Sequence, residues 1–153
     1  MSTHIDSRDF YNEYHGHKTE HLNLLLEKLR QWKPNRNYIY LVGDSSLDNK
    51  FWLRNGDEIA VNDYQYILNP ALSRPDIAHQ MNKLLHNSGY CTINASVEES
   101  TVASRNNGLL PQDQFVNKNI TNNDILIVSV GGNDIALSPS YKTMWNMMLM
   151  IYS

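Results

Sequence analysis

The chain has 153 residues, 41% hydrophobic and 19% charged, with a net charge of −3. That is one domain of ordinary soluble composition, large enough to bury roughly two-thirds of its unfolded surface. The acidic balance without a basic stripe speaks against a nucleic-acid partner, one cysteine excludes an internal disulfide framework, and no apolar run is long enough to cross a membrane.

Ser2 to Gly16 is polar and aromatic without periodicity and is expected to be an arm. Thr19 is placed to cap a helix running to about Trp32, with Leu22, Leu25, Leu26 and Leu29 as its apolar stripe. Residues 1–34 thus read as an arm and an amphipathic helix ahead of an α/β domain over 35–153. His15, His17 and His21 lack a neighbouring cysteine or carboxylate to complete a ligand set, so they read as solvated and no metal is expected. Pro34 stops the helix.

Tyr38-Ile39-Tyr40-Leu41-Val42 is an unbroken apolar run, expected as a strand buried on both faces. Gly43 ends it and Asp44-Ser45-Ser46-Leu47-Asp48 follows. Asn49 to Arg54 starts a helix or a lid, and Asn55-Gly56-Asp57 is a turn. Ile59–Val61 and Tyr64–Ile67 are two β-like runs in a hairpin or an irregular excursion, where Trp52, Tyr64 and Tyr66 suit packing better than a substrate cleft.

Ser73 is placed as the next cap, with Pro75 in the first turn and Asp76 three residues after the cap. Ile77, Met81, Leu84 and Leu85 should face inward, leaving His79 and His86 toward solvent, and Gly89 ends the helix. Tyr90–Asn94 is a strand, parallel to the first through a right-handed crossover, with Cys91 as a core residue. After a polar stretch, a short helix near Pro111 turns Phe115 and Val116 inward. Asp124–Val130 is another buried-strand run, emptying into Gly131-Gly132-Asn133-Asp134. Ser138 and Pro139 start a last helix whose stripe (Tyr141, Met144, Trp145, Met148, Tyr152) still runs at Ser153, so the C-terminal strands of the fold are expected to be missing.

Three strands therefore each end in a polar, turn-prone cluster, the place where open α/β sheets bind ligands. Gly43-Asp44-Ser45 with Asp48, then Asn94 with Thr101, then Gly131, Asn133 and Asp134 resemble in order the blocks of the SGNH, or GDSL, hydrolase superfamily. The resemblance implies a flavodoxin-like three-layer α/β/α fold with a mainly parallel sheet. It implies an esterase in which Ser45 attacks a small acyl or acetyl ester without a cofactor. The oxyanion would meet the Ser45 N–H, the second-block N–H, which aligns with Glu99 where the family has glycine, and the Asn133 amide. Gly43, Asp44, Asp48, Asn94, Gly131 and Asp134 would support the turns.

The family's Asp-x-x-His block has no counterpart, because no histidine follows Asn133. The resemblance therefore implies a truncated enzyme whose base comes from elsewhere, or an inactive SGNH-fold binding protein. A nucleotide-binding flavodoxin-like domain is disfavoured: the first β-α turn offers one glycine, and no Gly-Lys-Ser/Thr loop occurs. A polar, acidic amino terminus points to an intracellular protein. An open sheet edge and the last helix's stripe imply a homo-oligomer or a partner chain that completes the fold.

Overall fold

The computed structural model describes residues 4–137, 139 and 141–152. Ser2 and Thr3 of the expected arm, Ser138 at the expected start of the last helix, the Tyr152 side chain and Ser153 lie outside the described residues. Within the expected arm, residues 5–12 instead form a strand, β1 (Ile5–Asp6), and a helix, α1 (Ser7–Asn12). The Asp6 carboxylate accepts the Asp9 N–H at 2.9 Å as a cap. Phe10 and Tyr11 are buried, two aromatics too few to show a period in the sequence.

α2 (Thr19–Trp32) buries Leu22, Leu25, Leu26 and Leu29, as the spacing requires. Burial of each such leucine contributes about 1.5–3 kcal/mol. Thr19 is the first helical residue rather than the cap; that position is Lys18, which makes no side-chain cap bond. After β2 (Asn37–Gly43) come three short strands, β3 (Glu58–Ile59), β4 (Leu68–Asn69) and β5 (Leu72–Ser73). Ser73 pairs with Glu58 and is not a cap. α3 (Ile77–Leu84) is capped instead by Asp76, whose carboxylate accepts the His79 N–H at 2.8 Å. β6 (Tyr90–Asn94), α4 (Pro111–Asn119), β7 (Ile125–Ser129), α5 (Gly132–Ala136) and α6 (Tyr141–Tyr152) complete a mixed α/β chain.

The main sheet is parallel, in the order β6-β2-β7, with Asn37 opposite Tyr90 and Gly43 opposite Ser129. β1 pairs with β4 in parallel, and β3 pairs with β5 antiparallel. Alternate residues of β2 face opposite ways. Tyr38 and Tyr40 join the α2 leucines, Cys91, Ile93 and the Phe115–Val116 pair of α4 in one core. Ile39 and Leu41 join Ala78 of α3 in a second, with Ile77, Met81, Leu85 and Ile127 against it.

Several expectations about burial fail. Leu84 of α3 is 87% exposed, whereas His79 and Asn82 are buried. Polar pairing sets the rotation of this helix: Asn82 donates to the Thr92 carbonyl at 3.0 Å and accepts the Thr92 N–H at 2.8 Å, and the His79 ring lies 3.2 Å from Glu58. His86 is exposed. β7, expected to be buried, exposes Ile125, Leu126 and Val128, because among the described residues it forms the sheet's edge and takes a partner only on the β2 side.

Gly43 is where close approach decides the fold. Its φ is +144°, and a Cβ there would lie 1.8 Å from the Ser129 carbonyl oxygen. Gly43→Ala is expected to destabilise the chain by at least about 2 kcal/mol, read as a lower urea midpoint, by forcing β2 and β7 apart.

Candidate active site

The backbone of Gly43 gathers the three polar clusters. Its carbonyl accepts the Val97 N–H at 2.9 Å and the Ser100 hydroxyl at 2.9 Å, while the next N–H, of Asp44, donates to the Ser129 carbonyl at 3.0 Å. The loops after β2, β6 and β7 thus converge at the carboxyl ends of parallel strands.

Ser45 is half-buried in the turn that follows. The Leu47 and Asp48 N–H groups close that turn on the Asp44 carbonyl, at 3.1 and 3.0 Å. Asp44 Oδ1 accepts the Ser46 N–H at 3.0 Å and the Ser46 hydroxyl at 2.7 Å. The Ser46 hydroxyl also meets Ser129 Oγ at 2.6 Å, so it is committed to holding the turn. Among the described residues the neighbouring Ser45 hydroxyl carries no such tie.

In the second cluster Asn94 donates to the Leu47 carbonyl at 2.8 Å and accepts the Ser96 N–H at 3.0 Å. Glu99, aligned with a glycine of the resembled pattern, has a φ of +59°, the left-handed conformation glycine adopts freely. Thr101 is buried and starts the Ala103–Arg105 turn by accepting the Ser104 N–H at 2.9 Å. In the third cluster, which Gly131 opens at a φ of +112°, the Asn133 amide donates to the Ser100 carbonyl at 3.1 Å, leaving its second N–H for another acceptor. Asp134 accepts the Val102 and Ala103 N–H groups at 2.8 and 3.2 Å.

Beneath the turn lies a polar layer that the sequence did not reveal. Asp48 Oδ2 accepts the N–H groups of Gly16 and Glu98, each at 3.0 Å, and Oδ1 accepts Lys50 Nζ at 2.6 Å with both side chains buried. Such a pair offsets its desolvation only with help from further hydrogen bonds, and here two backbone N–H groups reach Asp48. Through Gly16 the amino-terminal segment is pinned over the site loops. Tyr14 donates its hydroxyl to Glu99 Oε1 at 2.8 Å, which holds the phenol up to about 12, and its ring meets His15, Phe51 and Trp52 edge-on. His15 Nδ1 lies 3.3 Å from the Glu98 carbonyl. Tyr14, Lys50 and Ser100 had no motif to mark them, and His15, expected to be solvated, lies instead against the second cluster.

The other amino-terminal histidines lie elsewhere. His17 is buried rather than solvated: it stacks on Phe10 with Nδ1 2.7 Å from the Phe10 carbonyl, and burial holds its imidazole neutral, well below the usual range. His21 faces Asp9 at 3.5 Å. Among the described residues no group of three His, Cys, Asp or Glu side chains could hold a metal ion. Tyr64 is a core residue that donates to the Thr92 carbonyl at 2.8 Å, and Tyr66 packs edge-on against Trp32. Trp52 stays exposed beside Tyr14.

No family model, curated protein or solved structure matches the chain.

Burial pushes the Asp76 carboxyl up to about 7, and its Oδ2 has no hydrogen-bond partner among the described residues. Glu98 and Asp48 are pushed up for the same reason. A carboxyl whose pKa is raised on folding contributes stability that is full below the unfolded value, near 4, and is lost as pH rises to about 7. A shift of that size corresponds to about 4 kcal/mol. His17 acts in the opposite sense below its unfolded value, so comparison with a variant isolates Asp76. Asp76→Asn, which keeps a capping side chain, is expected to flatten the loss of thermal stability between pH 4 and pH 7 and to unfold at higher temperature than the parent at pH 8.

Proposed function

We propose that the chain is an SGNH/GDSL-type ester hydrolase with Ser45 as nucleophile, acting on a small acyl or acetyl ester without a cofactor. The observation that carries this reading is the convergence on Gly43 of the clusters holding Ser45, Glu99 and Asn133. Helices packed on both sides of β2 support the finer assignment, a flavodoxin-like three-layer α/β/α fold. The left-handed backbone of Glu99 supports its alignment with the family's glycine.

In this reading Ser45 Oγ attacks the ester carbonyl carbon and its proton passes to a base. The tetrahedral oxyanion is met by the N–H groups of Ser45 and Glu99 and by the free N–H of the Asn133 amide. The intermediate collapses to an acyl-serine as the alcohol leaves with that proton, and water then releases the acid. Donors fixed in advance are effective because they answer charge that develops only in the transition state. Asp44, Asp48, Asn94 and Asp134 hold the loops through their hydrogen bonds, and Gly131 supplies a positive-φ turn.

A serine needs a base within hydrogen-bond reach. No histidine follows Asn133, and His15 is the histidine that sits on the second cluster. An intracellular setting fits the reading. The alternative, an SGNH-fold binding protein without turnover, draws on the same absence of a histidine after Asn133.

The test is hydrolysis of p-nitrophenyl acetate. Ser45→Ala is expected to abolish it, Asn133→Ala to lower turnover about 10²–10³-fold, and His15→Ala to lower it by several orders of magnitude. A parent chain no faster than Ser45→Ala would favour the binding protein. Tyr14 gives a second prediction. By binding Glu99 it turns a carboxylate away from the developing oxyanion, so Tyr14→Phe should slow turnover about tenfold, and Glu99→Gln added to it should restore the rate.

A further inference from the structure

Among the described residues, most of the exposed large apolar side chains lie on or just after β7 and on α6. β7 takes no partner on its outer edge among the described residues. Beside it runs a groove of about 330 Å³ between β7 and α4, walled chiefly by Val42, Val116, Ile120, Leu126, Val128 and Val130. Its two charged residues, Arg105 and Asp113, bind each other at 2.7 Å, so the groove offers no net charge to an incoming surface. No residue of α6 lines it.

α6 is the complementary surface. It exposes Met144, Trp145, Met148, Leu149, Met150 and Ile151 on all sides, with Lys142 as its one charged residue. A helix apolar all round belongs in an interior. At 1.5 Å per residue its twelve residues span about 18 Å, close to the roughly 17 Å of the five residues of β7.

Surface area argues for what covers this face. The chain exposes 9042 Å², whereas a compact monomer of 17.7 kDa exposes about 7,900 Å². The excess of about 1,100 Å² exceeds the roughly 800 Å² that each partner contributes to a standard interface.

We infer that a second copy of this chain covers the face, the α6 of each protomer lying in the β7–α4 groove of the other about a two-fold axis. The groove's two charges pair with each other and α6 carries a single lysine, both surfaces occur on every copy, and a two-fold exchange closes, so association stops at two. The pairing is independent of Ser45 chemistry, and Ser45→Ala leaves it intact.

The experiment is sedimentation equilibrium of the purified chain with two exposed-site variants, Val128→Asp in the groove and Met148→Lys on α6. The parent is expected at twice 17.7 kDa and each variant alone as a monomer with unchanged far-ultraviolet circular dichroism. Leu84→Lys, exposed elsewhere, should remain dimeric. Mixing the two variants should restore a dimer, because one groove–helix contact is then of parent type and the other joins Asp to Lys. A parent monomer overturns the inference, whether its groove binds an apolar dye or is closed by its own α6. So does open-ended association, or variants that do not complement each other.

Discussion

The site depends on one close approach, the backbone of Gly43 against that of Ser129. Because no side chain intervenes, the end of β2 lies directly on the end of β7, and its carbonyl stays open to the Val97 N–H and the Ser100 hydroxyl. Three loops from distant parts of the chain are thereby fixed by backbone hydrogen bonds rather than by flexible side chains. That is the kind of support a preorganised set of donors requires.

The second constraint is electrostatic. Asp48 stands three residues after Ser45 and receives two N–H groups and an ammonium in a buried setting. It ties the turn that carries Ser45 to the loop before Glu99 and to the amino-terminal segment at once. Its position explains how residues 14–16, far away in sequence, come to lie on the site. The same layer concentrates carboxyls that burial pushes up, Asp76 and Glu98 among them, so stability and pH are coupled just beneath the site.

What was legible in the sequence follows from which interactions dominate locally. The α2 leucine stripe, the β2 run and the inward Phe115–Val116 pair were readable because burial imposes a period. The turn clusters were readable because glycine, aspartate and asparagine mark strand ends. Where long-range polar pairing decides, the pattern misled. Asn82 binding Thr92 turned α3 so that Leu84 points outward, and β5 pairing took Ser73 from the expected cap. β7 carried the composition of a buried strand but lies at an edge, since composition records what a strand is suited to and not whether a neighbour is present. Tyr14 on Glu99 and His15 on Glu98 are contacts across more than eighty residues, which no local spacing could announce.

The most direct test of the central claim is the site of a fluorophosphonate adduct, mapped by peptide mass spectrometry on the parent chain. The account predicts a single adduct on Ser45, because the adjacent Ser46 hydroxyl is bound to Asp44 and Ser129, and it predicts that Asn133→Ala slows its formation. Labelling of Ser46, or no adduct under conditions that label a known serine esterase, would contradict it.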